Sequence, residues 1–172
     1  MRLLDKTAII TGAGAGIGAA TALLFCREGA SVALIDTDPA ALDRTLEAIK
    51  LALPHARLLV HTADVSDEAQ ALAVVDKTLQ AWGKLDILVN NASMRNYSAL
   101  ANATTAEWQA MVGVNLIGCA NYAKAALPAL RLSGKGSIVN VASCYAVTGR
   151  KGMGPIRRYQ GCAIGDDAHL GI

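Results

Sequence analysis

The chain has 172 residues with a formal net charge of +2; 53% of them are hydrophobic and 17% charged. That supply of apolar side chains can bury a substantial core in one soluble domain, and the near-neutral balance with scattered basic residues excludes the electrostatic footprint of a nucleic-acid binder. Mean hydropathy is +0.34, yet Asp, Lys, Gly or Asn interrupts every apolar run well before the 18 or so residues a membrane-spanning helix needs.

The opening M-R-L-L-D-K-T-A-I-I-T-G has too short an apolar run for a secretory leader and no small-residue cleavage site, so a cytoplasmic location is expected. Residues 7 to 11, T-A-I-I-T, form a short β-branched run followed at once by glycines, which predicts a buried parallel strand. A helix follows, with Ile17, Ala20 and Leu24 and then Ala19 and Leu23 at helical spacing, and Gly29 as its C-terminal stop. S-V-A-L-I-D (31 to 36) is the next strand, and a helix over 38 to 49 starts with Asp38 as N-cap and Pro39 in the first turn. A strand over 57 to 63, a helix over 66 to 82 capped by Ser66, and a strand over 85 to 90 continue the alternation. Residues 105 to 132 are mostly helical with a bend expected at Pro128, and 137 to 143 form a fifth strand. Apolar strands separated by helix-length segments specify parallel pairing with helices on both faces: a doubly wound, Rossmann-type α/β sheet.

Two positions in this frame carry chemistry. The turn after the first strand is T-G-A-G-A-G-I-G (11 to 18), where glycines let the backbone approach a pyrophosphate and the following helix offers it unpaired N–H groups. Asp36 ends the second strand, where its carboxylate can bond both ribose hydroxyls of an adenosine and would repel a 2′-phosphate. No Arg or Lys stands in the glycine turn or at Thr37 to offset that phosphate, so NAD is expected over NADP. The four cysteines, Cys26, Cys119, Cys144 and Cys162, have no paired spacing and read as reduced structural thiols. His55, His61 and His169 stand at no ligand spacing, and no metal is expected.

Further short stretches fall in order along the chain: Asp64-Val65, N-N-A-S at 90 to 93, Asn115 within V-N-L, and V-A-S at 141 to 143. Together with T-G-x-x-x-G-I-G they make residues 5 to 155 resemble the short-chain dehydrogenase/reductase family. The resemblance implies NAD-dependent hydride transfer between nicotinamide and a secondary alcohol or ketone, with a small alcohol or carbonyl compound as substrate and a homo-oligomer as the usual assembly. It implies that Gly12, Gly16, Ile17 and Gly18 line the pyrophosphate, Asp36 the adenosine ribose, Asp64 and Val65 the adenine, and Asn91 and Ala92 the nicotinamide-side ribose. Ser93 stands where the family usually has Gly. Asn115 corresponds to the catalytic Asn that bends its helix and holds a water in a proton relay, and Ser143 to the serine that orients the substrate oxygen.

The family's proton-transfer Tyr comes 13 residues after that serine and its Lys four residues later. Here those places hold Ile156 and Gln160, and no Tyr in the sequence has a Lys four residues on. The genetic code offers a reason. Ile156 to Gln160 can be encoded ATA CGC CGC TAC CAA, and dropping the first base gives Tyr-Ala-Ala-Thr-Lys once the next codon begins with G. A single-base insertion near codon 155 or 156 is therefore expected, dividing the chain into an incomplete dinucleotide-binding domain (1 to 155) and an aberrant, irregular tail (156 to 172). The family's C-terminal strands and helices would then be missing, the fifth strand would be an apolar sheet edge prone to aggregation, and turnover would be absent. Two other readings remain: a dinucleotide-binding module without catalysis, and a non-functional truncated gene product.

Overall fold

The computed structural model describes residues 1–95, 98 and 101–143. Strands β1 (Thr7–Thr11), β2 (Ser31–Asp36), β3 (Leu58–Thr62), β4 (Ile87–Asn90) and β5 (Ser137–Asn140) pair in parallel in the order β3-β2-β1-β4-β5. The order reverses between β1 and β4, which opens a crevice at the carboxyl ends of the strands. The helices are α1 (Gly16–Arg27), α2 (Pro39–Ala52), α3 (Glu68–Trp82), α4 (Thr105–Val112) and α5 (Gly118–Leu132).

Alternation along each strand divides the core into two layers. Ile9, Ala33, Ile35 and Leu88 pack against Ala71, Val74 and Val75 of α3 and Tyr122, Ala126 and Leu130 of α5. Their neighbours Ile10, Leu34 and Val89 face the other way, onto Ala22 and Cys26 of α1 and Leu42 and Ile49 of α2. All five residues of β1 are buried because it has partners on both edges and helices on both faces. Burial pushes the Cys26 thiol up to about 11 despite the charge of Lys50, which makes it an inert core group. The Cys119 thiol, half-buried in α5, donates to Asn115 O at 3.5 Å, while Cys144 and Cys162 fall outside the described residues.

Several local expectations are corrected. The buried face of α1 is Gly18, Ala22 and Cys26, whereas Ile17 and Leu24 are 61% and 48% exposed. The close approach of helix to strand selects small residues for the fully buried face, and Leu23 and Phe25 pack partly buried at its flanks. Asp67, not Ser66, caps α3, accepting from the N–H groups of Ala69 and Gln70; Ser66 is held by Asp64, which accepts from its N–H and its hydroxyl. The 105–132 segment departs from α geometry at a π-helical turn, Gly113–Ile117, while Pro128 sits inside α5. A capping box of Thr104 and Glu107 starts α4. β5 lies at a sheet edge among the described residues, with Val139 46% exposed.

Asp86, just before β4, is 2% exposed and accepts from Lys6 Nζ at 2.9 Å and from the Thr7 N–H at 2.9 Å, with Lys84 Nζ 3.4 Å away. Burial pushes its carboxyl up, but the Lys6 and Thr7 hydrogen bonds and the two lysine charges outweigh this and hold it below the usual carboxylate range. A depressed folded-state pKa adds stability that is complete above the unfolded value, about 3.9, and is lost as pH falls through the lower folded value. Asp86→Ala should cost about 2–3 kcal/mol at neutral pH by unpairing the buried Thr7 N–H and two lysines. In urea titrations the deficit should shrink below about pH 4, and a deficit equal at pH 7 and pH 3 would show that the carboxylate charge is not its source.

Candidate dinucleotide site

The ends of β1 and β4 are latched together by Thr11 and Asn91. The Thr11 hydroxyl accepts from the N–H groups of Asn91 (2.9 Å) and Ala92 (3.0 Å) and donates to Val89 O at 3.3 Å. Asn91 Nδ2 donates to Thr11 O at 2.9 Å and Gly12 O at 3.1 Å. The glycine turn is thereby fixed against the start of the loop after β4.

Gly12 and Gly16 have φ of +64° and +54°, where an L side chain is strained. A Cβ on Gly12 would also lie 2.9 Å from Ala92 Cα, whereas nothing stands within 4 Å of one on Gly16. Gly18 lies behind the turn. A Cβ there would collide with Gly12 O and come within 2.7 Å of Asn91 Nδ2, so this glycine serves helix packing and stands outside the cleft lining. Ala15 occupies the N-cap of α1 and offers no side-chain acceptor, which leaves first-turn N–H groups facing the cleft.

Asp36 Oδ2 accepts from the Gly14 N–H at 2.9 Å and Oδ1 from the Asp38 N–H at 3.2 Å. Each oxygen keeps lone-pair capacity toward the cleft that Asp36 lines. The cleft has a volume of about 580 Å³, in the range of small-molecule sites. Gly12, Gly16, Ile17, Asp36, Asp64, Val65, Asn91 and Ala92 all line it. Val65 is 7% exposed, so its share of the wall is small.

The Asn115 side chain bonds to the loop after β4: the Met94 N–H donates to its Oδ1 at 2.7 Å, and its Nδ2 donates to Met94 O at 2.9 Å. Asn115 lies inside the π-helical turn. Ser143 is partly buried three residues beyond β5. The positions of Ile156 and Gln160 lie outside the described residues, as do 96, 97, 99 and 100 in the segment between β4 and α4.

Two positioning residues were not singled out from sequence. The Thr11 latch is invisible without knowing that β4 is its neighbour. Asn121, a buried polar residue in α5, donates to Val65 O at 3.1 Å and Ser66 O at 3.2 Å and so holds the loop after β3; its signal was a polar residue within an otherwise apolar helical stretch. Met94, Arg95 and Val114 also line the cleft.

A reversed parallel sheet, a glycine turn and an uncapped helix N-terminus at the crevice define a dinucleotide-binding α/β domain. Residues 6–155 match the family model described as short chain dehydrogenase, and the chain belongs to that family. It is 38% identical over 153 residues to a 3-oxoacyl-(acyl-carrier-protein) reductase of Thermotoga maritima, covering 89% of this chain and 61% of that protein. It is 36% identical to levodione reductase of Leifsonia aquatica over 149 residues, 86% of this chain and 56% of that one. The chain thus spans about three fifths of the length of such relatives. Among solved structures, a short chain dehydrogenase/reductase from Burkholderia phymatum in complex with NAD superposes with a TM-score of 0.93 at 30% identity, covering 99% of this chain and 60% of that one. Levodione reductase superposes at 0.90 with 32% identity, 95% of this chain and 64% of that one being covered. No helix among the described residues is long and apolar enough to cross a membrane.

Proposed function

We propose that the chain binds NAD in this cleft, in preference to NADP, and carries the cofactor half of a site for hydride transfer between nicotinamide and a secondary alcohol or ketone. Bound there, the cofactor would supply the hydride chemistry. The observation that carries the reading is Asp36 on the cleft wall, beside an uncapped helix N-terminus, at an end with no cationic lining residue among the described residues. Two ribose hydroxyls suit its carboxylate and a 2′-phosphate does not. The first-turn N–H groups of α1 hold the pyrophosphate, and the latch of Thr11 and Asn91 keeps the turn in place beneath it.

The chain as it stands has no turnover in this reading. Asn115 and Ser143 remain, but a proton must move at the substrate oxygen, and the Tyr and Lys that serve this step in the family are replaced by Ile156 and Gln160. The family match runs to Pro155, next to the point where the pattern changes, which supports a shift of reading frame there. Codons 150 to 172 decide it: nucleotides that fail to give Tyr-Ala-Ala-Thr-Lys in the neighbouring frame sink the frame-shift account.

Binding is tested by following nicotinamide fluorescence. Wild-type protein should bind NADH at least about tenfold more tightly than NADPH, and Asp36→Asn, which keeps the side-chain volume and an acceptor for Gly14, should narrow this to about threefold. Equal affinity of the wild type for the two cofactors would remove the NAD preference. The absence of any fluorescence change would remove the binding itself.

A further inference from the structure

The cleft is charged unevenly along the sheet. Asp36, at the end of β2, and Asp64, after β3, lie on one side of the glycine turn; the loop after β4 lies on the other. On that second side Arg95 lines the cleft, exposed, and it is the one cationic residue of the lining among the described residues. No hydrogen bond or ion pair occupies its guanidinium among those residues.

Its backbone is anchored. Asn115 grips the N–H and C=O of Met94 at 2.7 and 2.9 Å, so the residue before Arg95 is tied to the π-helical turn. An arginine side chain hung from a fixed backbone reaches a limited volume, and its planar fork of donors matches a carboxylate through two parallel hydrogen bonds. The cofactor's pyrophosphate has donors of its own in the first turn of α1, and the adenosine belongs at the acidic end. The unpaired cation stands beyond both, on the β4 side.

We propose that Arg95 is a specificity residue that selects a carbonyl substrate bearing a carboxylate. The proposal rests on the cleft being the NAD site described above. A ketone substrate of this class presents its carbonyl toward the nicotinamide side and its carboxylate to the guanidinium. The distance between the two groups sets which chain length is accepted.

The test uses the whole chain saturated with NADH and titrated with pyruvate, acetoacetate and levulinate, each against its own methyl ester, with nicotinamide fluorescence as readout. In the wild type at least one keto acid should bind about tenfold or more tightly than its ester. Arg95→Gln should reduce this preference to within about twofold while leaving the NADH affinity within about twofold, and Arg95→Lys, which keeps the charge without the fork, should retain part of the preference. Equal binding of acid and ester by the wild type overturns the proposal, as does a preference that survives Arg95→Gln. A parallel loss of NADH affinity in Arg95→Gln also overturns it, by assigning the side chain to the cofactor's phosphates. If the wild type gives no NADH signal at all, the NAD site falls and this proposal with it, a result distinct from intact NADH binding without acid preference.

Discussion

Gly18→Ala should lower stability by about 2–3 kcal/mol and weaken NADH binding about tenfold or more. Helix propensity alone points the other way, since alanine in a helix interior is favoured over glycine by about 1 kcal/mol. The contact decides against it. The added Cβ would meet the carbonyl oxygen of Gly12, a backbone atom with no rotamer to escape into, and Asn91 Nδ2 at 2.7 Å. Relief requires α1 to move off the turn. That displaces the N–H groups of its first turn from the cleft and pulls at the two hydrogen bonds from Asn91 to Thr11 O and Gly12 O. Ala20→Gly on the exposed side of the same helix is the control: it should cost about 1 kcal/mol and leave NADH affinity unchanged. Denaturant melts and NADH titrations on both variants separate the effects. A Gly18→Ala protein more stable than wild type would mean that the approach of α1 to the turn is looser than its geometry.

Thr11→Val should cost about 2–4 kcal/mol although the two side chains are nearly isosteric. The hydroxyl accepts from two backbone N–H groups, those of Asn91 and Ala92, and Thr11 is 1% exposed. Valine leaves both donors without the acceptor that the buried Thr11 side chain supplied, and each such donor costs about 1–3 kcal/mol. The loss should appear in binding as well, because the latch carries Ala92 against Gly12. Thr11→Ser keeps the acceptor and should recover most of the stability, so similar behaviour of the Ser and Val variants would assign the effect to methyl packing.

Much of the α/β frame was legible along the chain. Short β-branched runs with helix-length spacers specify parallel strands because no shorter connection lets parallel strands pair. Four of the five strands lie within one or two residues of the ranges expected, while the fifth ends three residues early, at Asn140. Asp38 and Pro39 start α2 as their chemistry requires. The misses have physical causes. Ile17 and Leu24 satisfied a helical period but point outward, since the fully buried face of α1 is Gly18, Ala22 and Cys26, with Leu23 and Phe25 packing partly buried beside it. Ser66 and Asp67 are both good caps in sequence, and a competing bond to Asp64 removed Ser66 from the role. The long helical region departs from α geometry at the turn containing Asn115, whose amide is engaged across space by Met94, while Pro128 is accommodated inside α5.

The sequence by itself determined the strand order of events: a glycine turn after β1, an acidic end to β2, Asn91 after β4, and the change of pattern at Ile156. These are local properties, set by backbone freedom, charge and residue spacing. Only the tertiary structure decided which side chains meet. It brought Thr11 to Asn91, 80 residues on, set Gly18 behind the turn instead of on the cleft wall, and placed Asp36 and Arg95 on opposite sides of the turn. The reason is that β1 pairs with β4 as well as β2, a long-range choice made by burying both sheet faces at once, and no local propensity encodes it.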